Sequence, residues 1–262
     1  MDNMQKIPVF FTFDANYLLA AKVAIHSMMK HASRQYWYEL YVFHTTLSPK
    51  AQQSLRNSLK EFTHTELHFI DVTQYNEKIK NFGTKAHYSK EIFYKLIATD
   101  VLPQYDRIIC SDVDVVFTGD FSPVFFMFPN EKFYYAGVGP VENSRMPYYR
   151  KDFSTTEMEI LEHEIAAGFL LINLKELRND HKQEEIINFY VNNYPRLRLP
   201  EQDCIILTCW PYIKYLPIDY SLPISFYRLN MNQRDFYQGN TEFAGDKATA
   251  LAKFNKGLAH PV

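Results

Sequence analysis

Two carboxylates, Asp112 and Asp114, flank Val113 between the runs RIICS (107–111) and VVF (115–117). On extended backbone, residues i and i+2 point to the same side. A pair of this kind at the end of a buried strand can hold one hard divalent cation. The chemistry it suggests is metal-assisted handling of a diphosphate. A D-x-D triplet also arises by chance, so its surroundings must decide.

The elements around it read as an alternating series. Residues 7–13 (IPVFFTF) form an apolar run that predicts a buried strand ending at Asp14. Apolar residues at helical spacing predict a helix over 18–31. Residues 38–43 predict a second strand, and Ser48-Pro49 caps and opens a helix to about 60. Residues 66–70 predict a third strand ending at Asp71. A helix capped by Ser89, with Ile92, Phe93, Leu96 and Ile97 on its apolar face, leads into the strand before the D-x-D. This β-α-β-α-β-α-β order predicts an α/β fold: a Rossmann-like, mostly parallel sheet with helices on both faces. Strands are expected at 133–138 and 168–173, helices at 181–193 and from Pro200. Mainly loop with short strands is expected after Pro211. No repeat or linker interrupts the 262 residues, which read as one domain.

In open α/β sheets, ligands bind beyond the carboxyl ends of the strands. Asp14, Asn16, Asp71, Asp112 and Asp114 all fall there. The segment Asp14-Ala15-Asn16 reads either as ligand-binding or as an Asx turn.

Composition narrows the function classes. The net charge of −2 gives no footprint for nucleic acid. Three cysteines without metal-ligand spacing read as reduced packing thiols of a cytosolic protein. No run approaches the roughly 18 apolar residues of a membrane span, so any membrane contact is expected to be peripheral. The start lacks the apolar core of a signal peptide. The 19 Tyr and 21 Phe read chiefly as core.

Five segments together resemble family 8 glycosyltransferases, of the lipopolysaccharide galactosyl- and glucosyltransferase type that also includes glycogenin. They are FTFDANYLLAAKVAIHSM, FIDV, IFYKLIATDVLPQYDRIICSDVDVVF, GFLLINLKELR and PEQDCII, in that order. The resemblance implies a GT-A fold and a single catalytic domain over 1–262. Its nucleotide-binding half would cover about 1–120 and its donor-sugar and acceptor half about 121–262. It also implies a retaining transfer of glucose or galactose from a UDP-sugar, with Mn²⁺ or Mg²⁺, to a saccharide or glycolipid acceptor such as bacterial lipopolysaccharide core. The expected location is the cytoplasm, at most at the inner face of the membrane.

Position by position, the resemblance implies that Asp14, Asn16 and Tyr17 contact the uridine and that Asp112 and Asp114 hold the metal, with Asp112 also near the ribose. Lys95 would face the sugar-phosphate region. Gln202 would lie close to the anomeric carbon, with Glu201 at the donor sugar and Asp203 completing the motif. The bland alternatives are a solvent-facing helix lysine for Lys95 and a helix N-terminal acid for Glu201. Retention needs front-face attack or a double displacement, and an amide at 202 is a poor nucleophile, which favours the front face.

Three departures from the family pattern stand out. Ala166-Ala167-Gly168 occupies the place of an Asn-Ala-Gly motif. The stretch around Gly137-Val138-Gly139-Pro140 lacks a usual acid, for which Glu142 or Asn143 could substitute. The closing His-x-x-Gly-x-x-Lys-Pro-Trp-like motif is not found before Val262, with His260 a candidate in too early a register. The expectation is a missing C-terminal tail and weaker metal and nucleotide binding. Two further classes stay open: a non-catalytic nucleotide-sugar-binding protein and a glycogenin-like self-glucosylating enzyme. A metal-dependent phosphatase or nuclease would need more carboxylates or histidines at ligand spacing than the sequence shows.

Overall fold

The computed structural model describes residues 4–80, 90–139, 151–223 and 258–260, with the backbone alone for 222–223 and 258–260. Strands β1 (Lys6–Thr12), β2 (Trp37–His44) and β3 (Thr65–Asp71) alternate with helices α1 (Leu18–His31) and α2 (Pro49–Ser58). A short α3 (Asn76–Ile79) follows. A 3₁₀ segment (Lys90–Ile97) then runs into α4 (Ala98–Val101), β4 (Ile108–Ser111) and β5 (Val116–Phe117). The second half holds β6 (Tyr135–Val138), α5 (Thr155–Leu161), β7 (Phe169–Ile172), α6 (Leu174–Asn179), α7 (Lys182–Asn193), α8 (Pro200–Cys209) and β8 (Ile213–Leu216). Two short strands, β9 (Leu222–Pro223) and β10 (Leu258–His260), complete the described elements.

Among the described residues, seven strands form one sheet in the order β3-β2-β1-β4-β7-β6-β8. Only β7 runs against its neighbours; β1, β2, β3 and β4 are mutually parallel, and β6 and β8 are parallel to each other. The carboxyl ends of β1, β4, β6 and β8 therefore share one edge. The predicted fold class holds, and the sheet joins strands from both halves of the chain.

The sequence explains the burial. β1 is buried along nearly its whole length because both of its faces are covered. Ile7, Val9 and Phe11 pack with Ile25, Met28 and Leu55 of α1 and α2. Phe10 faces the opposite core, with Cys110, Leu170, Ile186 and Ile205. α2 begins as its sequence predicts, with the Ser48 hydroxyl accepting from Ala51 N and Pro49 at the first position.

Two local expectations need correction. The segment expected to be an α-helix before β4 is a 3₁₀ run that turns α-helical only at Ala98; Ser89 lies outside the described residues. The D-x-D is not on extended strand. β4 ends at Ser111, the Asp112 amide donates to Gly168 O at 2.8 Å, and the chain bends at Val113 and Asp114. Pairing with β7 stops at Phe169, so beyond Ser111 the strand has no ladder to continue.

Candidate active site

A cavity of about 220 Å³ opens at the carboxyl edge of the sheet, between β1, the 3₁₀ segment, the bend after β4 and the start of α8. Asp112, Val113 and Asp114 form one wall. Thr12, Phe13 and Tyr17 come from the end of β1, Glu91, Ile92 and Lys95 from the 3₁₀ segment, and Glu201 from α8. The volume is below the roughly 300–1,000 Å³ of typical small-molecule sites.

Lys95 organises this cavity. Its side chain is only 2% exposed, and its Nζ lies 2.6 Å from Asp112 Oδ1, 3.2 Å from Glu201 Oε1 and 3.1 Å from Ala167 O. A lysine on an exposed helix face is thus excluded: the 3₁₀ segment turns Lys95 inward, between β4 and α8. Burial alone would lower the lysine's pKa, but the neighbouring carboxylates of Asp112 and Glu201 outweigh it and hold the amine above its ordinary value. Lys95 is therefore a fixed positive charge.

Glu201 and Gln202 open α8 behind Pro200 and are both buried. Glu201 Oε1 meets Lys95, while Oε2 is buried with no hydrogen-bond partner among the described residues. Gln202 Oε1 accepts from Ala167 N at 2.9 Å, and Nε2 is likewise buried and unpartnered. Buried polar atoms normally find partners, so these two on adjacent residues are candidates to meet a ligand. Asp203 is buried too, but its Oδ2 accepts from the amides of Arg198 and Leu199, which fixes the turn into α8.

The Asx-turn reading of Asp14 is realised. Its Oδ1 accepts from Asn16 N at 2.8 Å and its Oδ2 from Asn16 Nδ2 at 3.2 Å. Asp14 and Asn16 stand on the loop that delivers Tyr17, but outside the cavity lining. Asp71 also caps a turn. Hydrogen bonds from the Thr73 hydroxyl and amide lower its pKa, and it is absent from the lining.

Ala166 and Ala167 act through backbone. Ala166 N donates to Val138 O, and Ala167 serves both Gln202 and Lys95. Tight packing with β6 permits this: a Cβ on Gly139 would sit 2.6 Å from Glu164 O, and one on Gly137 2.9 Å from Ala166 O. Glu142 and Asn143 lie outside the described residues, as does the side chain of His260. Sequence reasoning missed Thr12, Phe13, Glu91 and Ile92. The Thr12 hydroxyl donates to Glu91 O at 2.6 Å across 79 positions, a contact no local pattern signals.

The donor set suits a hard cation. Asp112 and Asp114 supply carboxylate oxygens on one wall, and a divalent ion of the Mg²⁺ type commonly takes one or two carboxylates and completes its shell with water and substrate phosphates. No cluster of three or more protein ligands occurs among the described residues.

The model of the family described as glycosyl transferase family 8 matches residues 8–244. The chain belongs to this family. Its fold is that of GT-A glycosyltransferases, as the superposition on solved glycosyltransferase structures shows. The bifunctional glycosyltransferase WbbM superimposes with a TM-score of 0.74 at 20% identity, over 98% of this chain and 45% of that one. The galactosyltransferase LgtC, solved with donor and acceptor sugar analogues, gives 0.70 at 16% identity, over 97% and 86%. Mouse xyloside xylosyltransferase 1 gives 0.68 at 16%, over 98% of both chains. This family 8 chain thus spans less than half of WbbM. A search of curated proteins found no match.

Proposed function

We infer that the chain is a retaining glycosyltransferase that moves glucose or galactose from a UDP-sugar to a saccharide acceptor such as lipopolysaccharide core. One observation carries the reading: Lys95, Asp112, Asp114 and Glu201 share a single cavity at the sheet's carboxyl edge. Family membership supports it. The whole chain acts as one catalytic domain, with nucleotide recognition in about 1–120 and donor-sugar and acceptor recognition in about 121–262. Among the described residues no helix is long and apolar enough to cross a membrane, and any contact with a glycolipid acceptor is peripheral.

The difficult step is departure of UDP from an oxocarbenium-like centre. Asp112 and Asp114 would hold Mn²⁺ or Mg²⁺, which supplies Lewis-acid stabilisation of the leaving diphosphate. Lys95 adds a preorganised positive charge at the same place. Tyr17 offers a face for the uracil, with Asp14 and Asn16 beside it, and Asp203 holds the α8 turn that presents Glu201 and Gln202. Gln202 stands by the anomeric centre, but its one amide oxygen is committed to Ala167 N. It orients and donates rather than attacks, which leaves front-face attack by the acceptor hydroxyl.

A UDP-release screen tests this reading, using UDP-glucose, UDP-galactose and UDP-GlcNAc with and without Mn²⁺. Metal-dependent release from a UDP-hexose is expected; no release and no binding of any UDP-sugar would overturn it. A second reading, a nucleotide-sugar-binding protein without transfer, is favoured by Ala166 in the place of an asparagine. Binding without turnover in every lane would select it.

A further inference from the structure

The contact between Lys95 and Asp112 has a consequence for how the site fills. A single ammonium bridges the carboxylate proposed to hold the cation and the carboxylate proposed to meet the donor sugar, at 2.6 and 3.2 Å. Its third contact, Ala167 O, belongs to the residue whose amide fixes Gln202. The amine is almost fully buried, so its hydrogen bonds depend on protein groups and on what fills the cavity it lines. Asp112, in contrast, is about one-third exposed on the cavity side and can exchange partners. Glu201 keeps one buried oxygen without a hydrogen-bond partner among the described residues.

Resting on the glycosyltransferase reading, we propose that Lys95 is an internal counter-cation that links the metal position to the donor-sugar position. With the cavity empty of cation, Lys95 neutralises Asp112 and shares its charge with Glu201. On arrival of a divalent cation, Lys95 yields Asp112 Oδ1 and moves its charge onto Glu201 and Ala167 O. Cation binding thereby sets the position of Glu201, and through Ala167 that of Gln202, before the sugar is held. Lys95 acts here as a positioning residue, and it competes with the cation for one ligand. No covalent bond is made or broken in this exchange.

The test is a double-mutant cycle on Mn²⁺ affinity without nucleotide, read by loss of the free-ion electron paramagnetic resonance signal. The full chain is used as wild type, Lys95→Met, Glu201→Gln and the double variant. Lys95→Met is expected to tighten Mn²⁺ binding about tenfold, because the competing cation is gone. Glu201→Gln is expected to weaken it several-fold with Lys95 present, because the amine then rests on Asp112 alone. In the Lys95→Met background the same change should alter affinity by less than about twofold. An equal effect of Glu201→Gln in both backgrounds would show a through-space field only and overturn the linkage. So would unchanged or weaker binding in Lys95→Met. If thermal melting shows Lys95→Met unfolded, Lys95→Gln, which keeps a donor for Ala167 O, takes its place. Absence of Mn²⁺ binding in every variant overturns the cation site itself. Mn²⁺ binding with an additive cycle overturns only the role of Lys95 and leaves the UDP-release result standing.

Discussion

Ala167 fixes the orientation of Gln202. A backbone N–H can bond only the oxygen of a side-chain amide, so the 2.9 Å contact from Ala167 N assigns Oε1 to the protein and leaves Nε2, buried and without a partner among the described residues, as the amide's remaining donor. This assignment follows from chemistry, because nitrogen and oxygen cannot exchange places while the bond persists.

Gln202→Ala should lower kcat by about 100-fold, the usual cost of removing one preorganised donor. KM for the UDP-sugar should stay within a few-fold. Gln202→Glu keeps an oxygen for Ala167 N but replaces the donor with a second acceptor, and it should be comparably impaired. Steady-state kinetics on both variants check this; near-normal turnover by Gln202→Glu would refute the donor role.

Substituting either aspartate should affect the metal position. Asp114→Asn is expected to weaken Mn²⁺ binding. Asp112→Asn also removes one of the two carboxylates that compensate buried Lys95. Because Asp112 is partly exposed, the cost is discounted to about 1–2 kcal/mol. Lys95 has a raised pKa, so its favourable contribution is complete below the unfolded lysine value of about 10.4 and is lost only as pH rises through the folded value. The wild-type ion pair should therefore contribute equally at pH 7 and pH 9, and urea titrations at pH 7 read the Asp112→Asn cost.

Gly139→Ala should destabilise the fold by about 1–3 kcal/mol, since its Cβ would meet a backbone carbonyl that cannot swing aside. The strain falls on 164–167, which carries the backbone contacts to Gln202 and Lys95. A fall in kcat larger than the stability loss would predict is expected once folded fractions are matched. Melting temperature and kinetics of the same preparation give both numbers.

Cys110, Cys204 and Cys209 are free and buried. Burial pushes all three thiols up, Cys209 to about 12. At pH 8 they are neutral, and the thiolate is the reactive form. Iodoacetamide should leave the native chain unmodified and add three groups after denaturation, as mass spectrometry would show.

Much of the architecture was legible because local signals and burial agreed. The helix over 18–31 and the capped start of α2 match their expected bounds, since spacing and Ser48-Pro49 act within a few residues. The short strands β4, β6 and β7 were readable as apolar runs. Their sheet order was not: the antiparallel insertion of β7 between β4 and β6 depends on pairings dozens of residues apart. The 3₁₀ form of 90–97 was missed because its apolar spacing also satisfies an α-helix.

The sequence by itself determined the α/β class, the family, and the acids, lysine and amide from which a site could be made. Those properties rest on residue type, order and local spacing. Only the tertiary structure decided what each group touches. It turned Lys95 from a possible surface charge into the buried bridge between Asp112 and Glu201, gave Asp14 and Asp203 to turns, and placed the D-x-D on a bend. The reason is that burial and partner choice are properties of packing: Lys95 and Glu201 lie 106 positions apart, and only the fold brings them to 3.2 Å.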